Sequence, residues 1–412
     1  MKIAIVGSGI SGLVCAYLLK DTHEITVFES SHKAGGHVNT VDTYGVNGEH
    51  RVDTGFIVFN QENYPGFCLL LDKLNVSSKN SRMGFSVSDP EEGVEYSGES
   101  LRGMFGSLRN VTSLKHLKMV SDIVKFHKIA ESSDVRGGET VSEFLSRHNL
   151  GGRFCSHYLY PLGSALWSCP EDNFSLFPME FALDFFRNHK MLQIKGRPTW
   201  KVVEGGSRTY VDKLLKDIGD RIHLNTPIRA VERTPKDVRV DTESSSKNFD
   251  EVIFACHADQ ALELLTNPTN CEATALKCFP YEENEVTLHT DDSLMPKRKS
   301  AWASWNARTN GRSAEKSTVT YNMNILQGIN DPTQFCVSLN QNSQVESTRI
   351  IEKINFSHPM FAKDRKKVQA NHEEFIRRDR ISFCGAYWGY GFHEDGLQSG
   401  LRVCKAYGET LT

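Results

Sequence analysis

The hydrophobic pattern changes period several times along the chain. Ile3 to Val6 is a short, β-branched apolar run stopped by Gly7, and a longer apolar segment, "ISGLVCAYLL", comes after it. The first reads as a buried strand, the glycines as a tight turn and the second as a helix. "EITVFES" forms another strand that ends at Glu29. "RIHLNTPIRAVERTPKDVRVDT" alternates as a β meander, and "FDEVIFACHADQALELL" repeats the opening pattern with a buried strand from Val252 to Ala255 before a helix. Strands alternating with helices in this way predict an α/β fold.

Between these blocks the pattern differs. Residues 60–195 read as mostly helical. Within them, "LRGMFGSLRNVTSLKHLKMVSDIVKFHKIA" places Leu114, Leu117, Val120 and Val124 at helical spacing, with Arg102, Arg109, Lys115, Lys118, Lys125 and Lys128 among the polar positions. A basic amphipathic helix of this kind can rest on anionic lipid. The default expectation is that its apolar face lies on the core. "FCSHYLYPLGSALWSCP", Phe154 to Pro170, is aromatic and uncharged, which suits either a core helix or the wall of a substrate channel. Residues 267–370 contain "NEVTLHTD", "SAWASWNAR", "STVTYNMNIL" and "FCVSLN", whose alternation predicts antiparallel strands. "FAKDRKKVQANHEEFIRRDR" reads as a charged, solvated connection, and the aromatic, glycine-rich tail "CGAYWGYGFHEDGLQSG" leads into a helix expected to begin near Gly396.

Gly7, Gly9 and Gly12 supply G-x-G-x-x-G between the first strand and helix. The first glycine turns the chain, the second lets backbone approach a pyrophosphate and the third permits close packing of the helix. Ser11 lies in the helix start that would face the phosphates. Glu29, at the end of the second strand, suits the two hydroxyls of an adenosine ribose. A second glycine pair, Gly35 and Gly36, then Asp53-Thr54-Gly55 before a β run, and the specialised tail favour FAD over NAD. Thr54 and Gly55 therefore join the candidate cofactor-binding residues.

Composition limits the alternatives. A formal net charge of -3 argues against nucleic-acid binding. The 10 cysteines lack Cys-x-x-Cys and zinc spacing, so free thiols and no metal site are expected. The opening apolar run is too short for a signal peptide, and no run approaches a membrane span. A soluble, cytoplasmic protein is expected, open to peripheral contact with the inner face of a membrane.

The chain resembles the flavin amine oxidase and phytoene desaturase superfamily, through G-x-G-x-x-G, E-x-x-x-x-x-G-G and D-x-G-F. Its fuller motifs, including "GGHVNTV", "VDTGFIVFN", "VVEGGSRTYV" and "TYNMNILQ", are similar to predicted NAD/FAD-binding proteins associated with cyclopropane-fatty-acid-synthase-like methyltransferases. The resemblance implies a glutathione-reductase-like, Rossmann-type FAD-binding domain of residues 1–59, 196–266 and 371–412, interleaved with an α+β substrate domain of residues 60–195 and 267–370. It implies that Val231 lies beside the adenine, that the Gly385 amide is near phosphate, and that Glu394, Gly396 and Leu397 carry the helix start toward the flavin. His37 and His393 are candidate bases or flavin contacts, and histidine at position 37 would be able to switch charge near neutral pH. Tyr390 and Phe392 are candidates for the reaction face, Phe392 standing where amine oxidases often carry tyrosine. Tyr160, Trp167, Trp302, Trp305, Tyr321 and Trp388, with Met323, are candidates for the substrate pocket.

The implied activity is hydride transfer to flavin N5 from an unsaturated or methylated fatty acyl chain, by a desaturase, dehydrogenase or isomerase. The alternatives are a flavin-containing amine oxidase and a flavin-bound accessory protein of a lipid methyltransferase.

Overall fold

In the computed structural model, which describes residues 1–105, 107–132, 135–193, 196–309, 318–360 and 364–411, the opening apolar run is the central strand of a parallel sheet. The strands are β1 (Lys2–Val6), β2 (Glu24–Phe28), β3 (Ile222–His223), β4 (Glu251–Phe254) and β5 (Ile381–Phe383), in spatial order β3-β2-β1-β4-β5. Ile3 pairs with Ile25 on one side and Glu251 on the other. Ile3, Ala4 and Ile5 are fully buried, as expected where both faces of a parallel sheet are covered. The α/β expectation holds, and the sheet collects strands from the start, middle and end of the chain.

Three helices shape the site and the surface beside it: α1 (Ile10–Leu19), α2 (Leu114–Glu131) and α3 (His393–Lys405). Helix α3 lies directly on α1. A Cβ at Gly396 would fall 2.9 Å from Ile10 Cγ2, and one at Gly400 would fall 2.7 Å from Val14 Cγ1 and 2.8 Å from the Ser11 carbonyl oxygen. The Ser11 hydroxyl donates to the Gly396 carbonyl at 2.7 Å. Helix α3 begins at His393, three residues before the expected start. Asp395 accepts the Phe392 N–H at 2.9 Å and draws the preceding residues into the first turn.

The substrate-side sheet has seven strands, drawn from Phe85–Ser97 and from Tyr281–Pro359. Phe85–Asp89 and Val94–Ser97 were expected to fall in a mostly helical stretch. Their apolar alternation is masked by buried serines: Ser86 donates to Asn306 at 2.7 Å inside the sheet. Trp305–Arg308 pairs parallel to Phe85–Asp89, so the sheet is mixed and not wholly antiparallel.

Asp53 joins the sheets. It is fully buried, accepts from Thr40 Oγ1, from the N–H and hydroxyl of Ser207 and from Gln327 Nε2, and its own N–H donates to Gln327 Oε1. Ser207, at the N-cap of the helix Arg208–Ile218, makes no side-chain cap bond and sends its hydroxyl to Asp53 and the Phe56 carbonyl. The charged connection before β5 is also only partly solvated. Arg365 is buried and donates to the Gly389 carbonyl at 2.7 Å, and Gln369 donates to the Tyr387 and Gly389 carbonyls. Residues 361–363 of that connection lie outside the described residues.

Helix α2 meets the default expectation for its apolar face only at Val120, which packs against the core. Met119, Phe126 and Ala130 point into the core, whereas Leu114, Leu117 and Val124 are exposed. Among the described residues, no helix is long and apolar enough to cross a membrane.

The α1–α3 contact predicts a strong effect of added volume. Gly400→Val should destabilise the fold by about 1–3 kcal/mol, because backbone and Val14 both block the new side chain. Thermal unfolding against an exposed control, Gly151→Val, checks this, and equal midpoints would refute the close contact.

Candidate active site

The three glycines of the first turn have different surroundings. Gly7 adopts φ +101, and a Cβ there would meet the Ala255 carbonyl oxygen at 2.9 Å. A Cβ at Gly12 would fall 2.0 Å from the Gly7 carbonyl oxygen. At Gly9 it would meet nothing within 4 Å. Gly9 is the N-cap of α1, which has no side-chain cap and no acidic residue in its first turn. The amides at this end therefore face open space with a positive helix-dipole end behind them. Gly36 (φ +58) closes over the same loop, so near that a Cβ on it would lie 2.9 Å from Gly9 Cα. Gly35 donates its N–H to the Ser8 carbonyl at 3.0 Å.

Glu29 is buried beside this loop and accepts from the Ser8 N–H at 2.9 Å and the Ser8 hydroxyl at 2.6 Å, with the Ser31 N–H on its other oxygen. It is held at the end of β2 with its carboxylate turned to the glycine turn. An open anion-accepting helix end, two glycine turns in contact and a fixed carboxylate fit the dinucleotide FAD expected from the sequence. When bound it supplies a hydride acceptor.

Other candidates have different placements. The Val231 carbonyl already accepts from the Thr266 N–H at 3.0 Å, and the backbone that meets Glu29 is Thr226, whose N–H donates to the Glu29 carbonyl at 2.8 Å. The Gly385 amide donates to Ser399 Oγ at 2.8 Å. Glu394 is buried on the N–H groups of Gly66 and Phe67, both at 2.9 Å, and so caps the helix Pro65–Lys73. Thr54 exchanges hydrogen bonds with Asn39, and Gly55 is required where a Cβ would lie 2.0 Å from the His37 carbonyl oxygen. Leu397 is fully buried in the core that also contains α1.

His37 donates from Nε2 to the Ser357 carbonyl at 3.1 Å and stacks on Phe356 with centroids 5.0 Å apart. His257 and His358 lie 5.9 and 5.5 Å from it, ring to ring. His257 stacks on Tyr281 at 4.3 Å. Burial, then the neighbouring His257, holds His37 at about 4. It is thus neutral at neutral pH, contrary to the expected charge switch. His257 is held at about 4 and His358 at about 3, both chiefly by burial. His393 stacks flat on Phe56 at 3.8 Å, shares a 2.8 Å hydrogen bond with the Tyr210 hydroxyl, and burial lowers it to about 3.

Tyr390 and Phe392 are brought together. They line a cavity of about 510 Å³ with Tyr64, His189, Glu62 and Asp395. Phe392 stacks on Phe185 at 5.1 Å, and Tyr390 meets Phe181 at 5.2 Å. Burial raises Asp395 to about 6, and Glu62 pairs with Lys190 at 2.6 Å. The predicted pocket aromatics do not converge here. Trp167 sits in the helical-side core against Phe174 and Phe185, with Tyr160 packed beside that core. Trp305 and Tyr321 pair across the seven-stranded sheet, over the core that buries Met323. Trp388 stacks on His372 at 4.1 Å, and Trp302 donates its indole N–H to the Pro296 carbonyl. Tyr64, His189 and Asp395 were not among the residues expected from sequence. Only Asp395, within the tail motif, carried a local signal.

Gly9→Ala should retain the fold yet lose FAD, read as a lower flavin-to-protein absorbance ratio with an unchanged apoprotein melting temperature. Gly12→Ala should lower both, because its new methyl meets backbone. For the histidines, folded values near 4 against 6.5 mean that the unfolded chain binds more protons in that window. Their contribution is present above pH 6.5 and lost as pH falls toward about 4. The apoprotein melting temperature should therefore fall with acidification, and less steeply in His257→Gln; identical slopes would refute the linkage.

Comparison with known proteins agrees with this geometry. Residues 10–322 match the family described as flavin containing amine oxidoreductase. Cyclohexylamine oxidase from Brevibacterium oxydans IH-35A superposes with a TM-score of 0.70 at 14% identity, covering 98% of each chain. A CLA-producing fatty acid isomerase from P. acnes gives a TM-score of 0.66 at 14% identity, over 97% of this chain and 96% of that one. These likenesses establish the fold. Protoporphyrinogen oxidase 2 of Arabidopsis thaliana is 26% identical over 182 residues, 42% of this chain, and the match spans only 34% of that protein's length. A family match that begins in α1, at the uncapped helix end, and runs through the substrate-side sheet means that the chain belongs to the flavin containing amine oxidoreductase family.

Proposed function

We propose that this protein is an FAD-dependent oxidoreductase that removes hydrogen from an unsaturated or methylated fatty acyl chain. Desaturation, dehydrogenation and, where hydrogen is returned at another carbon, isomerisation all begin with that removal. The observation that carries the reading is the hydrocarbon wall at the start of α3. Phe392 has no hydroxyl, stacks on Phe185, and adjoins an aromatic core that includes Phe181, Phe186 and Trp167. Such a wall excludes water and favours an apolar substrate over a charged one. Arg365 and Gln369 hold the Tyr387–Gly389 turn that leads to it. The fold likeness to a protein named as a fatty acid isomerase supports the reading.

His37 and His393, neutral and hydrogen-bonded, act in this reading as fixed polar walls rather than as proton carriers. Asp395, at about 6, is the cavity group able to hold a proton near neutral pH.

A second reading, amine oxidation, is favoured by one observation: Glu62 and Asp395 place carboxylates on the same cavity as Tyr64 and Tyr390. Carboxylates would attract an ammonium group, and aromatic rings would flank it.

Anaerobic mixing of the purified holoprotein with candidate substrates separates the readings. Unsaturated or methylated acyl lipids should bleach the flavin band, and cyclic or linear amines should not. Bleaching by amines alone would overturn the acyl reading. Bleaching by neither, with tight binding to a lipid methyltransferase, would assign the accessory role.

A further inference from the structure

We propose that the α2 end of the substrate-side region docks on the surface of an anionic phospholipid bilayer. The inference holds whichever compound reduces the flavin. Three successive helices, Leu101–Phe105, Leu108–Thr112 and α2, carry leucines that the fold leaves outside: Leu101 is 81% exposed, Leu108 85% and Leu114 82%. Val111, Leu117 and Val124 are exposed as well. Isolated exposed apolar residues are ordinary; this many on neighbouring helices are not.

The platform is rigid. The Met104 carbonyl accepts from Asn110 Nδ2 at 3.2 Å and from His116 Nε2 at 3.0 Å, which ties the three helices together. Asn110 also donates to the Glu95 carbonyl on the adjoining strand, and Met119 and Phe126 anchor α2 below. The leucines are thus held outward by packing.

Exposed cations are interleaved with them: Arg102, Arg109, Lys115, Lys118, Lys125 and Lys128. A surface cavity of about 550 Å³ lies beside these helices, lined by Glu92, Arg109, Asn110, Ser113, Lys115 and Arg153. Arg153 is engaged by Glu92 there, leaving Arg109 and Lys115 to face an anion. Cations beside a polar depression suit lipid phosphate, and leucine tips suit the acyl boundary beneath it.

Charge complementarity selects this occupant. A second copy meeting the same face would set Arg109 and Lys115 against like charges. A bilayer interface accepts both kinds of side chain at once.

Co-sedimentation of the holoprotein with vesicles tests the proposal. Vesicles of phosphatidylcholine mixed with phosphatidylglycerol should bind at least ~10-fold more strongly than phosphatidylcholine alone, and added salt should weaken the binding. Arg109→Glu with Lys115→Glu should abolish the preference for anionic vesicles. Leu108→Ser with Leu114→Ser should weaken binding even at low salt, and Lys115→Arg should bind as the parent does. Flavin content and melting temperature of each variant report folding. Leu108→Trp supplies an independent reading, since its fluorescence should be quenched by brominated lipid. Equal binding to both vesicle types, binding unchanged in both double variants, or an unquenched Leu108→Trp would overturn the proposal. So would a dimer that the leucine variants convert to monomer without any vesicle binding, which would assign the face to a second copy.

Discussion

The contact between α1 and α3 governs the geometry of the whole site. Gly396 and Gly400 let the last helix lie against the first without side chains between them, and the Ser11 hydroxyl locks the pair through the Gly396 carbonyl. Close approach of two helices needs small residues at the seam, because any added methylene meets backbone. It brings two helix amino ends, Gly9–Ile10 and Phe392–His393, into one neighbourhood. The positive ends of both dipoles then lie near one another, and residues far apart in sequence become neighbours.

Buried polar groups hold the substrate-side elements against this pair. Asp53 accepts from a strand, a helix start and the distant Gln327. Glu394 fastens the helix Pro65–Lys73 to the first turn of α3. Arg365 and Gln369 brace the turn before α3 from the opposite side. Each is a charge-assisted or multiple hydrogen bond between segments distant in sequence, so the aromatic wall at Tyr390 and Phe392 is set by polar anchors behind it. The histidines obey the same rule. Packed on Phe356, Tyr281 and Phe56, they are held neutral because a buried imidazolium would lack compensation.

The exposed leucines have a complementary origin. Helix α2 spends its inward face on Met119, Phe126 and Ala130 and cannot also bury Leu114, Leu117 and Val124. A helix with two apolar stripes has one too many for the protein core. The second stripe, interleaved with cations, is the part of the molecule whose environment lies outside the fold.

The local βα units are written in the chain itself. Short β-branched runs, the spacing of Gly7, Gly9 and Gly12, and Glu29 at a strand end are encoded within a few tens of residues, so the dinucleotide site was legible there. Which cores the aromatics join is a matter of tertiary packing. Trp167, Trp305 and Trp388 are equally apolar in sequence yet enter three different clusters, because periodicity marks a residue as buried without saying against what. Packing also dictates that Val231 and Gly385 spend their backbone polar groups within the protein, that Glu394 caps a helix, and that His37 stays neutral. Those outcomes depend on partners brought from distant segments, Thr266, Ser399, Gly66 and His257, and no spacing along the chain announces them.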